Sequence, residues 1–258
     1  MQVSVLASGS KGNSIFVEVA GTRLLIDAGI SARRIKKSLA EIDVAVEDLD
    51  GILLTHEHRD HVGGLKTLTK NYRLPIYTRA DTFRSMYCAA DIPEECCQAI
   101  GEDFQIGGLD IRAFNISHDA ADPVGYSIRK KDFKCTVVTD LGFVSSSVQA
   151  AIDNSNMLVL EANHDPQLLR DGSYPWALKQ RILSNRGHLS NNDAAWAIVR
   201  MQKQQTKVLL AHLSEENNRP EVAHSTICEI IQSQGFALGA ELNLHLTKPD
   251  ETVTLFAD

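Results

Sequence analysis

The sequence predicts an α/β fold of the α+β kind, a four-layer αββα sandwich of two stacked sheets with helices on both outer faces. Three observations predict it. Strand-like runs are followed by helical stretches, and that series occurs twice along the chain. Segments rich in His and Asp each follow a strand-like run directly, which is how sheet-layered folds deliver distant residues to one rim. The 258 residues, 43% hydrophobic and 23% charged, can bury a sizeable core without any low-complexity tract or long linker. One domain, residues 1–258, is therefore expected, built of two similar halves at about 1–110 and 111–258.

Each element has its own reason. Strands are expected at 2–7, 15–20 and 22–26, the last two turned at Gly21. A helix is expected at 31–42, opened by Ser31, and a buried strand at 51–55. Next come a helix at 64–71, a strand at 75–78 and a helix at 81–89. Strands at 104–106 and 109–117 are split by Gly107-Gly108. Strands at 124–129 and 133–139 form a hairpin with a charged turn, Lys130-Lys131-Asp132. A helix at 145–152 and a strand at 157–161 precede helices at 174–183 and 191–202, a strand at 207–211 and a helix at 220–233. Ser190 and Asp193 fit a capping box at the start of the 191–202 helix. Strands at 242–246 and 252–256 close the sheet.

The segment Thr55-His56-Glu57-His58-Arg59-Asp60-His61 is the most informative stretch. It sets three imidazoles and a carboxylate within six residues, directly after an apolar run. These are the donors that divalent transition metals prefer. Four donors on one short turn can hardly face one ion, so the spacing suggests two metals. His56 and His58 then serve one and Asp60 and His61 the other. Three further candidates end strand-like runs: His118, Asp140 and His212.

The order His-x-His-x-Asp-His, then His, Asp and His, resembles the metallo-β-lactamase superfamily of dinuclear hydrolases. The resemblance covers nearly the whole chain and implies that superfamily's sandwich. It implies one ion held by His56, His58 and His118, a second by Asp60, His61 and His212, and Asp140 bridging them. It also implies that hydroxide between the ions is the nucleophile.

Three more segments narrow the branch. Ser8-Gly9-Ser10-Lys11-Gly12-Asn13-Ser14 is a turn that can present backbone N–H groups and a Lys to phosphate. Glu161 ends a strand in Leu160-Glu161-Ala162-Asn163-His164-Asp165, and His188 precedes a helix in Gly187-His188-Leu189-Ser190-Asn191. Glu161-Ala162, Gly187-His188-Leu189-Ser190 and His212-Leu213-Ser214 resemble the ribonuclease Z pattern. There the matching Glu orients or charges a His that protonates the leaving alcohol. A helix N-terminus disfavours a protonated imidazole, so His188 needs an anion nearby for that role. The whole set, with Tyr174-Pro175, is most similar to the YycJ/WalJ-like family, which is associated with phosphodiester cleavage, including exonuclease action on DNA. The candidate catalytic residues are thus Asp60, Glu161 and His188. His164 and Asp119 are each either a support to the ligands from behind, the reading preferred, or a spare ligand. The chain lacks the Gly-rich basic arm of ribonuclease Z, the extra helical domain of glyoxalase II-like enzymes and the inserted domain of β-CASP nucleases.

The expected function is a dinuclear metal-dependent hydrolase, a phosphodiesterase or nuclease that uses Zn or Mn, with Fe possible. Its partner is nucleic acid, DNA ahead of RNA. The alternative on the same site is a hydrolase of a small thioester, lactone or cyclic phosphodiester. A binding module with structural metals fits less well, because structural sites are closed by four ligands. A flavin-partnered di-iron protein would carry Glu at the position of His58. A zincin needs His where Asp60 stands.

Composition sets the remaining bounds. A net charge of −7 argues against a wide basic surface. Two basic clusters, Arg33-Arg34 with Lys36-Lys37 and Arg129-Lys130-Lys131, read as solvated faces before phosphate tracks. Five Cys without a disulfide pattern and no secretion-like start predict a cytoplasmic protein. No apolar run reaches 18 residues, so no membrane partner is expected.

Overall fold

In the computed structural model, which describes residues 1–202 and 205–257, the chain forms two seven-stranded sheets. The first half of the chain lays down β1 (Gln2–Ala7), β2 (Ser14–Val19), β3 (Thr22–Ile26), α1 (Ala32–Ala40), β4 (Gly51–Leu53), α2 (Arg59–Val62), α3 (Leu65–Tyr72), β5 (Ile76–Thr78), α4 (Ala80–Ser85) and β6 (Cys97–Ala99). The rest supplies β7 (Asp103–Ile106), β8 (Leu109–Asn115), β9 (Val124–Lys130), β10 (Phe133–Val138), α5 (Ser146–Ile152), β11 (Met157–Glu161), α6 (Pro166–Asp171), α7 (Trp176–Ile182), α8 (Asn191–Val199), β12 (Thr206–Ala211), α9 (Pro220–Ser233), β13 (Leu242–Leu246) and β14 (Val253–Phe256).

The sheets run β14-β1-β2-β3-β4-β5-β6 and β13-β12-β11-β10-β9-β8-β7. Starting from β14 in one and β7 in the other, each makes three antiparallel pairings and then three parallel ones. Three buried layers result. Val5, Val17, Leu53, Tyr126, Val137 and Val159 fill the space between the sheets. Ile35, Leu39, Leu65 and Leu68 press α1 and α3 onto the first sheet. Val148, Ala194, Ile198, Ile227 and Ile231 press α5, α8 and α9 onto the second. This is the expected αββα sandwich. Tyr126, fully buried between the sheets, donates its hydroxyl proton to the Leu54 carbonyl at 2.5 Å, just ahead of the His-rich turn.

Differences from expectation have local causes. The helix expected at 81–89 stops at Ser85, because Met86 turns extended and buries its side chain under the first sheet. α6 was not expected. Asp165 caps it, accepting from Gln167 and Leu168 N–H with Pro166 in the first turn. β6 was not expected either; it is a three-residue edge strand with little burial to pattern it.

Strands β1, β3, β4, β8, β10, β11 and β12 end at one rim, and three loops meet there around Gly29. Gly29 N–H donates to Asn13 O and Asn13 N–H to Asp60 O, both at 2.8 Å. Ala28 N–H donates to His61 O, also at 2.8 Å. A Cβ on Gly29 would lie 1.5 Å from the Asp60 carbonyl oxygen and 2.7 Å from Asn13 N. Gly29→Ala must therefore push the loops apart. It is expected to cost roughly 3 kcal/mol in urea denaturation, and to lower bound metal on elemental analysis; unchanged values for both would contradict this packing.

Candidate metal centre

The His-rich turn is shaped by the start of α2. β4 runs into Leu54-Thr55-His56, and His58 takes the N-cap position of α2 with an extended backbone. Asp60 and His61 then fall in the first helical turn. The chain direction changes between the two pairs, so they face different partners. Donor atoms of His56, His58 and His118 lie within 4.8 Å of one another, and so do those of Asp60, His61 and His212. A third group, His56, His61 and Asp140, links the two. The structure thus brings together all seven ligand candidates, from the ends of β4, β8, β10 and β12 and the turn between them.

Hydrogen bonds select which nitrogen of each ring is free. His61 Nδ1 lies 2.7 Å from Asp27 Oδ2, His118 Nδ1 3.3 Å from the Gly187 carbonyl, and His212 Nδ1 2.8 Å from Glu161 Oε1. Each partner is an acceptor, so Nδ1–H donates and Nε2 keeps its lone pair toward the centre. His56 Nε2 and His118 Nε2 both approach His58 Nδ1, at 3.1 and 3.3 Å. Asp140 Oδ2 is 3.4 Å from His61 Nε2, and its Oδ1 is 3.5 Å from His212 Nδ1.

The chemistry of these donors fits cations. Asp140 Oδ2 and His212 Nε2 are buried with no hydrogen-bond partner, a state that costs roughly 1–3 kcal/mol per group when nothing else satisfies it. Burial opposes charge on His61, yet Asp140 and Asp27 outweigh it and raise its pKa well above the usual value. Burial likewise opposes charge on His212, and Asp140 and Glu161 reverse it, raising the pKa to about 9. His56, with no carboxylate bonded to it, is driven well down by burial and by its His neighbours. Positive charge is thus demanded at the centre, where divalent ions could supply it.

Glu161 is fully buried and fully bonded. Its Oε2 accepts from the Leu141 and Leu189 N–H groups, each at 3.0 Å. Its Oε1 takes both His188 Nδ1 and His212 Nδ1 at 2.8 Å. Burial works against its charge, but His188 and His212 hold the carboxyl far below the usual range. The anion that His188 needs beside the α8 N-terminus is therefore Glu161.

Two contributors were missed in the sequence. Asp27, just after β3, accepts Thr55 N–H at 2.9 Å and the Thr55 hydroxyl at 2.8 Å besides orienting His61. Its signal was an Asp directly after a strand, the same signal that singled out Asp140. Asn13 donates from Nδ2 to Asp60 Oδ2 at 3.3 Å, and its Oδ1 accepts Gly9 N–H; Nδ2 also lies 3.1 Å from His61 Nε2, whose one lone pair can serve either Asn13 or an ion. The Gly/Ser loop thus braces the ligands through Asn13. Lys11, which such a turn can present to phosphate, pairs with Glu215 at 2.6 Å on the surface. Asp119 accepts from Arg181 and sets Oδ1 3.4 Å from His118 Nε2. His164 is buried, but its Nδ1 has no partner among the described residues.

The centre opens into a cleft of about 270 Å³, lined by Ser10, His58, Asp60, Asp119, Asp140, Tyr174, Leu178, Arg181, His188 and His212 among others. Neither basic cluster reaches it. Arg34 binds the Pro249 carbonyl and pairs with Asp250, and Lys130 binds the Gly108 carbonyl. Among the described residues, no helix is long and apolar enough to cross a membrane.

Comparison with known proteins agrees with this geometry. The family model described as "Beta-lactamase superfamily domain" matches residues 22–213. The chain is 40% identical to exodeoxyribonuclease WalJ of Streptococcus pneumoniae serotype 2 (strain D39), over 98% of this chain and 96% of that one. It is 38% identical to exodeoxyribonuclease YycJ of Bacillus anthracis, over 96% of each. Among solved structures, the metallo-β-lactamase fold protein YhfI of Bacillus subtilis superposes with a TM-score of 0.71 at 17% identity, covering 98% of both chains. A strand-end cluster of His and Asp on an αββα sandwich, with relatives this similar over nearly their whole length, places the chain in the metallo-β-lactamase superfamily, to which it belongs.

Proposed function

We propose that this chain is a metal-dependent phosphodiesterase that removes nucleotides from the ends of nucleic acid, DNA ahead of RNA. The observation that carries the reading is the sharing of Glu161 Oε1 between His212 and His188. One carboxylate thereby ties a ligand candidate to an imidazole that lines the cleft. That pairing suits a reaction in which an alkoxide must leave and be protonated. The names of the relatives, exodeoxyribonucleases WalJ and YycJ, support DNA and exonucleolytic action.

In this reading His56, His58 and His118 would hold one divalent ion and Asp60, His61 and His212 a second, and Asp140 would serve as a further ligand. When bound, such ions polarise the phosphodiester and make water nucleophilic near neutral pH. The imidazole-rich set suits Zn, and the carboxylates also admit Mn or Fe. The chain's own residues do the rest. Asp27 and Glu161 fix the tautomers of His61 and His212. Glu161 accepts Nδ1–H of His188, which leaves His188 Nε2 as the nitrogen that gives a proton to the departing oxygen. Asn13 holds Asp60 in register.

Three outcomes test this. Asp140→Asn is expected to lower cleavage of end-labelled single- and double-stranded DNA by at least about 100-fold with added Mn²⁺ or Zn²⁺, and chelation with EDTA should abolish cleavage reversibly. Undiminished cleavage by Asp140→Asn would sink the assignment. For Asp27→Asn, a loss of roughly 10- to 100-fold in metal affinity is expected in competition with a chromophoric chelator; wild-type affinity would remove Asp27 from the site. His188→Ala should keep its metal content and KM while kcat drops about 100-fold or more. A drop in metal content instead would make His188 a ligand.

A further inference from the structure

One wall of the cleft plays no part in holding ions. Leu178 and Ile182 lie one turn apart on α7, and Tyr174 stands in the turn just before Pro175, the N-cap of that helix. All three line the cleft, with Tyr174 and Leu178 half-buried. Arg181 lines the same wall at its end nearest the His cluster. Its Nε donates to Asp119 Oδ2 at 2.5 Å, and Asp119 Oδ1 sits 3.4 Å from His118 Nε2. The Arg181 side chain is 56% exposed, and among the described residues its Nη1 and Nη2 have no hydrogen-bond partner. An aromatic ring and an aliphatic side chain beside a cation make a surface for a molecule with one flat apolar end and one anionic end.

Charge sharpens this. Asp60, Asp119 and Asp140 all line the cleft, and among its described lining residues Arg181 is the one Lys or Arg. A phosphate entering there meets three carboxylates, four imidazoles and a single guanidinium. Planar guanidinium groups bind phosphate oxygens in a fork. Exposed aromatic rings stack bases of any sequence. Trp176, though 64% exposed, does not line the cleft.

We propose that the α7 wall is the nucleotide-holding subsite of the cleft. Tyr174 stacks on the base of the terminal nucleotide, Arg181 binds its phosphate, and Asp119 is the positioning residue that aims Arg181. The proposal rests on the nuclease reading and names its substrate contact: one nucleotide unit, recognised by its flat base and its phosphate without regard to base identity.

The test is calorimetric titration of the metal-loaded protein with inorganic phosphate and with thymidine 3′- and 5′-monophosphate, which a phosphodiesterase does not consume. Arg181→Ala is expected to weaken phosphate and the tighter-binding nucleotide alike, on the order of 10-fold. Tyr174→Ala should weaken that nucleotide on the order of 10-fold and leave phosphate within about twofold, while Tyr174→Phe keeps wild-type affinity for both. Asp119→Asn should weaken phosphate in the wild-type background but not further in Arg181→Ala, as expected of two residues that act as one unit. Unchanged phosphate affinity in Arg181→Ala, or equal losses for phosphate and nucleotide in Tyr174→Ala, overturns the subsite. Oligonucleotide cleavage by the unaltered protein is scored separately. Its absence overturns the nuclease reading, whereas cleavage together with unaltered ligand affinity in both variants overturns the α7 wall alone.

Discussion

Carboxylates buried against imidazoles hold this molecule's rim together. Asp27, Asp140 and Glu161 are all almost completely withdrawn from solvent. An ionised carboxylate in such a place is tolerated only when it is paired and hydrogen-bonded. Asp27 meets that condition with Thr55 and His61, and Glu161 with two backbone N–H groups and two imidazoles. Asp140 meets it only in part, since its Oδ2 has no hydrogen-bond partner. The first two are structural props that fix ring orientation. The third has an acceptor without a hydrogen-bond partner beside imidazole nitrogens, which fits the ligand role proposed for it.

Backbone conformation singles out two of these carboxylates and one imidazole. Asp27, Asp140 and His212 each follow a strand, and each takes a left-handed φ, at 59°, 58° and 55°. That region costs a residue with a Cβ about 1 kcal/mol or more, and such residues gather where function constrains the chain. The pairing order of the two sheets explains two of them. β3 and β10 hold equivalent places, each the last antiparallel partner before the parallel series begins. The chain makes the same turn after both and puts an Asp in it. One Asp orients a ring from behind; the other faces the centre.

That equivalence also explains what could and could not be read from the sequence. The strands were legible because buried parallel strands are continuous apolar runs, such as Met157-Leu158-Val159-Leu160. The His-rich turn was legible because three imidazoles in six residues have few other uses. His118, Asp140 and His212 were legible by their places after such runs. Asp27 follows a run of the same kind, but Ile26-Asp27-Ala28-Gly29 also reads as an ordinary turn, and its value comes from His61, 34 positions away. The direction of Lys11 was left open because a Gly-rich loop allows either the backbone or a side chain to face inward. Only the packed structure shows that Asn13 turns in and Lys11 turns out to Glu215. α7 offered little periodicity over seven residues, so the wall it makes with Tyr174 appears only once the cleft exists.

The double attachment of Glu161 limits how far the site's functions can be separated. Asp27 holds a single ring, that of His61, beside its two bonds from Thr55. Glu161 holds His212 and His188 by the same oxygen atom. If its charge is removed, His212 loses the partner that fixes its tautomer, and His188 loses the anion that offsets the α8 N-terminus. In the proposed mechanism metal affinity and proton transfer then fall together, and neither loss measures the contribution of one ring. His188 stands on one side of that junction and Asp27 is remote from it. Substitutions at those two positions can therefore divide ion binding from leaving-group chemistry, whereas substitution of the carboxylate between the rings cannot.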